Sequence, residues 1–118
     1  MALPINLATV QTTIANGTAL SAEVDMGADT LVGITMPAAW TAAALTFQVS
    51  TDGGVTFNEM NSSAGSAVSF TVAASQYIAV DPTLWRGVNA VKVRSGTSGT
   101  PVNQGADRVL TLVTRPLS

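Results

Sequence analysis

The sequence contains neither cysteine nor histidine. Without cysteine the chain can form no disulfide and has no thiol for catalysis or metal binding, so its fold does not depend on redox compartment. Without histidine it lacks the usual general base near neutral pH and the commonest metal ligand. We therefore expect no enzyme activity, no catalytic residues, no cofactor and no metal site.

Charged residues are also scarce. They make up 10% of the chain and hydrophobic residues 47%, whereas about 25% of the residues of an ordinary globular domain are charged. Serine, threonine and amide side chains must therefore supply most of the surface polarity. Because such a surface is weakly hydrated and favours contact with partners, the composition favours a subunit of an assembly over a free monomer.

The few charges are unevenly distributed along the chain. All five basic residues lie after position 85, and six of the seven acidic residues lie at or before Asp81. If the basic segments pair as neighbouring strands, one positive and one negative region result, which favours head-to-tail contact between copies. Interleaved strands would instead mix the charges. Five cations among seven acids form no basic stripe, so we expect no nucleic-acid partner.

The sequence also lacks a long hydrophobic run. The N-terminal "MALPINLATV" has no basic region and no long apolar core, so it predicts neither a signal peptide nor a membrane span. We therefore expect the protein to be made in the cytoplasm. A chain of 118 residues is long enough to bury one core. We expect a single domain over residues 1–118, with residues 1–8 as an N-terminal arm.

What the sequence does contain is alternation with a period of two. Leu45, Phe47 and Val49 alternate with polar residues, as happens in half-buried strands, and no stretch of ten residues shows a helical period. Eight or nine short strands predict an all-β, antiparallel β-sandwich that is jelly-roll-like, with an immunoglobulin-like order as the alternative. The predicted strands are 8–14, 20–26, 30–36, 45–50, 55–60, 68–72, 76–80, 88–95 and 107–114.

One segment departs from the strand pattern. "DPTLWRG", residues 81–87, predicts a single helical turn, because Asp81 can cap it, Pro82 needs no hydrogen-bond acceptor and Gly87 can end it. This turn would press Trp85 onto the sheet. The alanine-rich segment 37–45 is expected to be a loop that leads into a strand.

"STDGGVTF", residues 50–57, fits the Asp-box pattern S-x-D-x-G-x-T-[FW] of sialidase-like propellers. A single copy in so short a chain cannot form a propeller. The pattern also predicts a tight hairpin, in which Asp52 accepts backbone N–H groups and the two glycines adopt positive φ. We interpret the stretch as a hairpin, with the Phe57 ring covering one end of the core.

Two acidic residues have the spacing of a glycosidase pair. Glu23 and Asp25 are two positions apart on one strand face, a separation that overlaps that of inverting glycosidases. The alternation places them on the solvent side, so a solvated pair is the main interpretation. Adventitious Ca²⁺ binding, helped by Asp29, is the alternative.

Aromatic residues and one long loop supply the candidates for recognition. Trp40, Tyr77 and Trp85 either anchor the core or form a stacking platform for sugars, and the 95–106 segment is a long polar loop that can bind or stay mobile. The interaction candidates are Trp40, Trp85, Arg86, Thr97, Asn103 and Gln104.

Several short motifs in residues 45–117 carry a family resemblance. They are Asp-Pro-x-x-aromatic-x-Gly at 81–87, Lys-x-Arg-Ser-Gly-Thr at 92–97, Pro-Val-Asn-Gln at 101–104 and a hydrophobic strand that ends in Arg-Pro-Leu. Together with "LTFQVSTDGGVTFNEM", they resemble small proteins that tailed bacteriophages encode near their capsid genes, of the capsid decoration or cement type. Such proteins are β-sandwich or jelly-roll subunits that clamp capsomer junctions as dimers or trimers.

The resemblance implies a structural virion protein on the capsid surface. Its partners would be the major capsid protein and copies of itself, without nucleic acid or membrane. The alternatives are a phage tail, fibre or baseplate component that meets host glycans, and a carbohydrate-binding module outside any virion. Exposed tryptophans beside a groove would favour glycan binding, whereas a flat, apolar patch would favour assembly.

Overall fold

The computed structural model describes residues 9–116, so the predicted N-terminal arm at 1–8 lies outside the described residues. Eight strands and one 3₁₀ turn, Pro82–Trp85, follow one another along the chain. The strands are β1 (Thr9–Ile14), β2 (Val24–Asp25), β3 (Asp29–Thr35), β4 (Leu45–Ser50), β5 (Asn58–Glu59), β6 (Tyr77–Ala79), β7 (Ala90–Ser95) and β8 (Arg108–Pro116).

The strands form two antiparallel sheets of four. Sheet 1 has the order β1-β8-β3-β6 and sheet 2 the order β2-β7-β4-β5, which confirms the predicted β-sandwich. This is the strand order of an eight-stranded jelly roll, in which the chain repeatedly crosses between the sheets. The immunoglobulin-like order would pair several consecutive strands, whereas here only β4 and β5 are consecutive and adjacent.

Alternation along each strand divides core from surface. In β8, Leu110, Leu112 and Thr114 are buried between the sheets, while Val109 and Thr111 point away from them. The same phase holds in the neighbouring strands, because directly paired residues share a face. The hydrophobic residues that are less than 2% exposed are Ile14, Leu31, Ile34, Leu45, Phe47, Trp85, Ala90, Val91, Val93, Leu110 and Leu112.

Three aromatic rings pack together in this core, two of them buried and the third, Phe70, partly buried. The Phe47 ring meets Trp85 edge to face at 5.0 Å and 85°, and Phe70 at 5.1 Å and 61°. As predicted, the turn before Trp85 is capped by Asp81, whose carboxylate accepts hydrogen bonds from the backbone N–H and the hydroxyl of Thr83. The turn thus presses Trp85 onto the sheet.

Three predicted strands are shorter than expected or missing. Segments 20–26 and 55–60 keep only two strand residues each, β2 and β5. Segment 68–72 is not a strand: Phe70 alone pairs with Leu45, as an isolated bridge beside β4. The chain instead forms a small hairpin after β5, in which Asn61 pairs with Ala67 around a turn at Gly65. The residues of this hairpin are therefore not available to lengthen the edge strand of sheet 2.

Replacing Trp85 by alanine should lower the free energy of unfolding by about 3–5 kcal/mol, because it opens a cavity under Phe47. Leu84→Ala is the control, since Leu84 is adjacent but 47% exposed, and its effect should stay within about 1 kcal/mol. Urea denaturation measures both. Equal effects would contradict the central role of Trp85 in the core.

Candidate interaction surfaces

The Asp-box stretch forms the predicted hairpin between β4 and β5. The Asp52 carboxylate accepts hydrogen bonds from the Ser50 hydroxyl at 2.7 Å and the Thr56 backbone N–H at 2.9 Å, which hold the pKa of this carboxyl below its ordinary value. The Ser50 hydroxyl in turn accepts from the N–H of Gly54. Every polar residue of the motif is thus used inside the turn, and Gly53 has the positive φ that such a turn requires.

Phe57 does not cover the end of the core, as the sequence had suggested. Its ring is half-buried on the outer side of sheet 2, where the Lys92 ammonium lies 4.5 Å from the ring centroid. The expectation was wrong because β5 begins only at Asn58. Phe57 therefore precedes the strand, and its ring packs against the lysine as a cation–π pair.

The outer face of sheet 2 carries a ladder of polar side chains across three strands. The buried Arg94 guanidinium donates to both carboxylate oxygens of Glu59, at 2.7 Å for Oε1, and to the Thr46 hydroxyl at 3.2 Å. The Gln48 amide also donates to Glu59. Hydrogen bonds from Arg94 lower the pKa of the Glu59 carboxyl. We call this the charged face; its outward charged residues are Asp25, Glu59, Lys92 and Arg94.

This ladder decides between the two expected charge distributions. β7, which carries Lys92 and Arg94, lies between β2 and β4, and Arg94 of the second half pairs with Glu59 of the first half. The strands interleave, and the charges mix within one sheet. No separate positive and negative halves result, which removes the basis for head-to-tail electrostatic contact.

The outer face of sheet 1 is different, because its residues are almost all uncharged. Tyr77 lies flat over Gly33, where a Cβ would overlap the phenol oxygen, and Val109 is 43% exposed. Arg115, at the end of β8, is the one charged residue on this side of the paired strands. We call this surface the Thr/Val face, and it comprises Thr9, Gln11, Thr13, Gly33, Thr35, Tyr77, Ala79, Val109, Thr111 and Val113.

This surface was not expected from the sequence, although a signal was present. Within the predicted strands 8–14, 30–36, 76–80 and 107–114, the outward phase holds mainly threonine, valine, alanine and one tyrosine, with Gln11 and Gly33, and its one charged residue is Asp107 at the start of 107–114. Counting the charged residues at the outward positions of each predicted strand would have divided the strands into a group with few charges and a group with more, which correspond to the two sheets. What the sequence could not supply is the strand order that brings these four segments side by side.

Gln104 lies in the core of a loop cluster and is 1% exposed, so it is not a surface candidate. Its amide oxygen accepts from the Thr41 N–H at 2.8 Å and from Arg108 Nε at 3.1 Å. Its amide nitrogen donates to the Thr41 carbonyl at 3.0 Å and to the Ser95 hydroxyl at 2.7 Å. One side chain thus joins the 37–45 loop, the end of β7 and the start of β8.

The other candidates fall into two groups. Trp85 is completely buried and belongs to the core, so it offers no surface for a partner. Trp40 is half-buried against the core, and its Nε1 donates to the Ala43 carbonyl. Arg86, Thr97 and Asn103 are exposed. The structure therefore does not bring the six candidates together into one site, and the tryptophans do not form a platform.

One cleft opens beside Trp85, at the junction of the β2–β3 turn with the segment that follows the 3₁₀ turn. It has a volume of about 180 Å³ and is lined by Gly27, Ala28, Asp29, Thr30, Trp85, Gly87, Val88 and Asn89. Among the described residues, Trp85 Nε1 is the buried side-chain polar atom that lacks a hydrogen-bond partner. An unpaired buried donor costs about 1–3 kcal/mol.

Residues 9–116 contain neither a metal-binding cluster nor a membrane-spanning helix. No three acidic side chains in that range lie close enough together to hold a metal ion, so Glu23, Asp25 and Asp29 do not form the alternative Ca²⁺ site. No helix in the same range has the length and hydropathy needed to cross a bilayer.

Comparisons with protein-family models, with curated proteins and with solved structures find no match to this chain. Function has to be inferred from the residues and surfaces described above.

Replacing Gln104 by alanine should lower the free energy of unfolding by at least about 2 kcal/mol, because buried partners at Thr41 and Ser95 lose their hydrogen bonds. Asn103→Ala, at the exposed neighbouring position, should change it by no more than about 0.5 kcal/mol. Thermal unfolding of the two variants measures the difference. A Gln104→Ala protein as stable as the Asn103→Ala protein would show that the loops hold together without this amide.

Glu59→Gln should lower the free energy of unfolding at pH 7 by about 1 kcal/mol, because it removes a charged acceptor from Arg94 but the Glu59 carboxylate is 41% exposed and screened by solvent. Since the folded pKa of Glu59 is lowered from its ordinary value of 4.5, the stabilisation is present above that pH and is lost as the pH falls through the folded pKa. Wild type and variant should therefore converge in acid. Denaturation measured across acidic pH tests this, with Glu23→Gln as the control; parallel curves would contradict it.

Proposed function

We propose that this protein is a structural virion component, a capsid decoration or cement subunit that docks on the assembled phage head through the Thr/Val face. The observation that carries the proposal is the asymmetry of the sandwich. The outer side of one sheet carries charged side chains, with Arg94 covered by its bonds to the exposed Glu59, whereas the outer side of the other carries threonine, valine and tyrosine.

A face of this composition is suited to contact with protein. Burying it costs little electrostatic desolvation, because its residues are uncharged apart from Arg115 at one end. Tyr77 is 56% exposed and rests on Gly33, and a large ring of this kind is a typical centre of an interface. The threonine hydroxyls can pair with backbone groups of a partner.

The size of the face indicates how such a subunit would bind. Four strands about 4.8 Å apart, whose lengths average about six residues at 3.3 Å each, give a surface of roughly 400 Å². A stable complex of two proteins buries about 800 Å² on each partner. One face therefore supplies about half of the usual area, so tight attachment requires several contacts, such as those of a dimer or trimer that spans neighbouring capsid subunits.

Stabilisation of the head then follows from linkage. A protein that binds the assembled lattice, but not its dissociated subunits, shifts the equilibrium towards assembly at every occupied site. This activity needs shape and exposed area, with no catalytic group. It agrees with the composition, the location on the virion and the partners that the sequence resemblance implies: the major capsid protein and copies of the chain.

The alternatives predict different surfaces. A carbohydrate-binding module would present exposed tryptophans beside a groove, but Trp85 is buried and the Trp40 indole N–H is bonded to Ala43. A tail, fibre or baseplate component would use the same kind of apolar face at far fewer positions. Copy number per particle separates that alternative from decoration of the whole shell.

The direct test is binding of purified protein to phage heads that lack it. Val109→Arg places a charge in the Thr/Val face and should weaken co-sedimentation with heads by about 100-fold or more, since burying an unpaired charge costs several kcal/mol. Val55→Arg is the matched control, because Val55 is 83% exposed on the Asp-box hairpin. It should bind as wild type does.

Quantitative mass spectrometry of virions provides the second measurement. Copies in simple ratio to the major capsid protein support decoration of the shell, and a dozen or fewer would place the protein in the tail or portal. Its absence from virions, or equal binding by Val109→Arg and Val55→Arg, would overturn the proposal.

A further inference from the structure

Sheet 1 ends at β6, an edge strand that lacks the usual protection against pairing. Residues 76–80 contain no charged residue and no proline, and β6 pairs with β3 in regular register. Soluble proteins usually place a charge, a proline or a bulge in an exposed edge strand, because an unprotected edge can pair with another chain. The edge strands of sheet 2 have such charges, Asp25 in β2 and Glu59 in β5.

The hydrogen bonds of β6 show which of its backbone groups face outward. The Gln76 carbonyl accepts a hydrogen bond from the strand-β3 side at 2.8 Å, and the Val80 N–H donates to that side at 3.0 Å. Even-numbered residues of β6 therefore bond to β3, because the backbone groups of an antiparallel strand point alternately to its two sides. The N–H and C=O groups of Tyr77 and Ala79 point away from β3, and no hydrogen bond joins them to another residue in the range 9–116.

The side chains around β6 leave this edge open. Tyr77 and Ala79 are both exposed, and the Tyr77 ring lies over Gly33 of β3, on the side away from the edge. At the opposite edge of sheet 1, the Thr12 hydroxyl of β1 donates to the Ala22 carbonyl at 3.0 Å, so the chain before β2 lies against β1. β6 is therefore the more accessible of the two edges of sheet 1.

The free groups of β6 are complementary to those of a second copy. Rotating a copy by half a turn about an axis beside Ile78, perpendicular to the sheet, places its Ala79 opposite Tyr77 and its Tyr77 opposite Ala79. Each of these two pairs can exchange two backbone hydrogen bonds, so about four bonds use all the outward groups of both residues. No like charges meet at the axis, because the nearest charged residue along the strand, Asp81, follows β6.

We propose that two copies of this chain pair through the outer edges of β6 and form one continuous sheet from their two four-stranded sheets. Both Thr/Val faces then lie on the same side, because a two-fold axis perpendicular to a sheet does not exchange its faces. Their combined area is roughly 800 Å², which is the area that one partner of a stable complex usually buries. The pairing is a property of the free protein and does not depend on the virion function.

Sedimentation equilibrium of the full-length chain tests the pairing. Because two short strands make a small contact, the dimer is expected to be weak, so the measurement runs from micromolar to millimolar concentration. Ala79→Pro removes the outward N–H of Ala79 from each copy, and an edge strand tolerates proline at such a position. Two of the four hydrogen bonds are lost, so the dissociation constant should rise roughly 25-fold, about fivefold for each bond.

Three further variants separate this contact from other effects. Ala79→Lys places a charge at the edge without changing the backbone, and it should also weaken the dimer. Thr13→Lys is the matched control, because it places the same charge on the Thr/Val face at β1, the other edge. It should dimerise as wild type does. So should Val109→Arg, the variant that tests docking, which keeps a failure of pairing distinct from a failure of docking.

A single introduced cysteine gives an independent test, since the chain has none of its own. In the proposed register the two Ile78 residues lie opposite each other, with Cα atoms about 4.5 Å apart, which a disulfide can span. Under mild oxidation, Ile78→Cys should form linked dimers faster than Val55→Cys, although Ile78 is half-buried and Val55 is 83% exposed.

Four results would overturn the proposal. They are a wild-type chain that stays monomeric at millimolar concentration, a dimer that both Ala79 variants leave intact, a dimer that Thr13→Lys abolishes, and Ile78→Cys chains that link no faster than Val55→Cys chains. The third result would assign the contact to β1.

Discussion

Sheet 1 depends on its last strand. β8 is the final element of the described chain, yet it lies second in the sheet, between β1 and β3, and it pairs with both along most of their length. Without β8, the first strand has no neighbour and only the β3–β6 pair of the sheet remains. The cost of closing such long loops must be met before these pairings stabilise anything, so folding of this topology is expected to be slow for its size.

The loops at the ends of the sandwich are closed by side chains that satisfy one another. Gln104 does this between the 37–45 loop and β8, and Asp52 with Ser50 does it in the Asp-box hairpin. A motif that resembles part of a sugar-cleaving enzyme therefore performs a purely local task here. Because these polar side chains are hydrogen-bonded within the end loops, the outer faces of the two sheets are the large surfaces that remain for contact with a partner.

The fold class could be predicted from the sequence because alternation is a local property. The helical turn at 82–85 and the placement of Trp85 on the sheet followed from capping and proline chemistry, and both are confirmed. Burial of Gln104 could not be predicted, because the polar "PVNQGA" gives no indication that distant loops converge on one amide. The expected position of Phe57 and the predicted strand at 68–72 were wrong for a related reason. Where an edge strand ends depends on its neighbour across the sheet, which the sequence does not show.

The contrast between the two faces has a consequence for solution conditions. Contacts made through the charged face compete with salt, because at physiological ionic strength exposed charges are screened over about 8 Å. Contacts made through the Thr/Val face release few ions, and salting-out anions strengthen them by favouring burial of apolar area. Rising ionic strength should therefore weaken any contact made through the charged face while strengthening any contact made through the Thr/Val face, so salt concentration would determine which face is favoured.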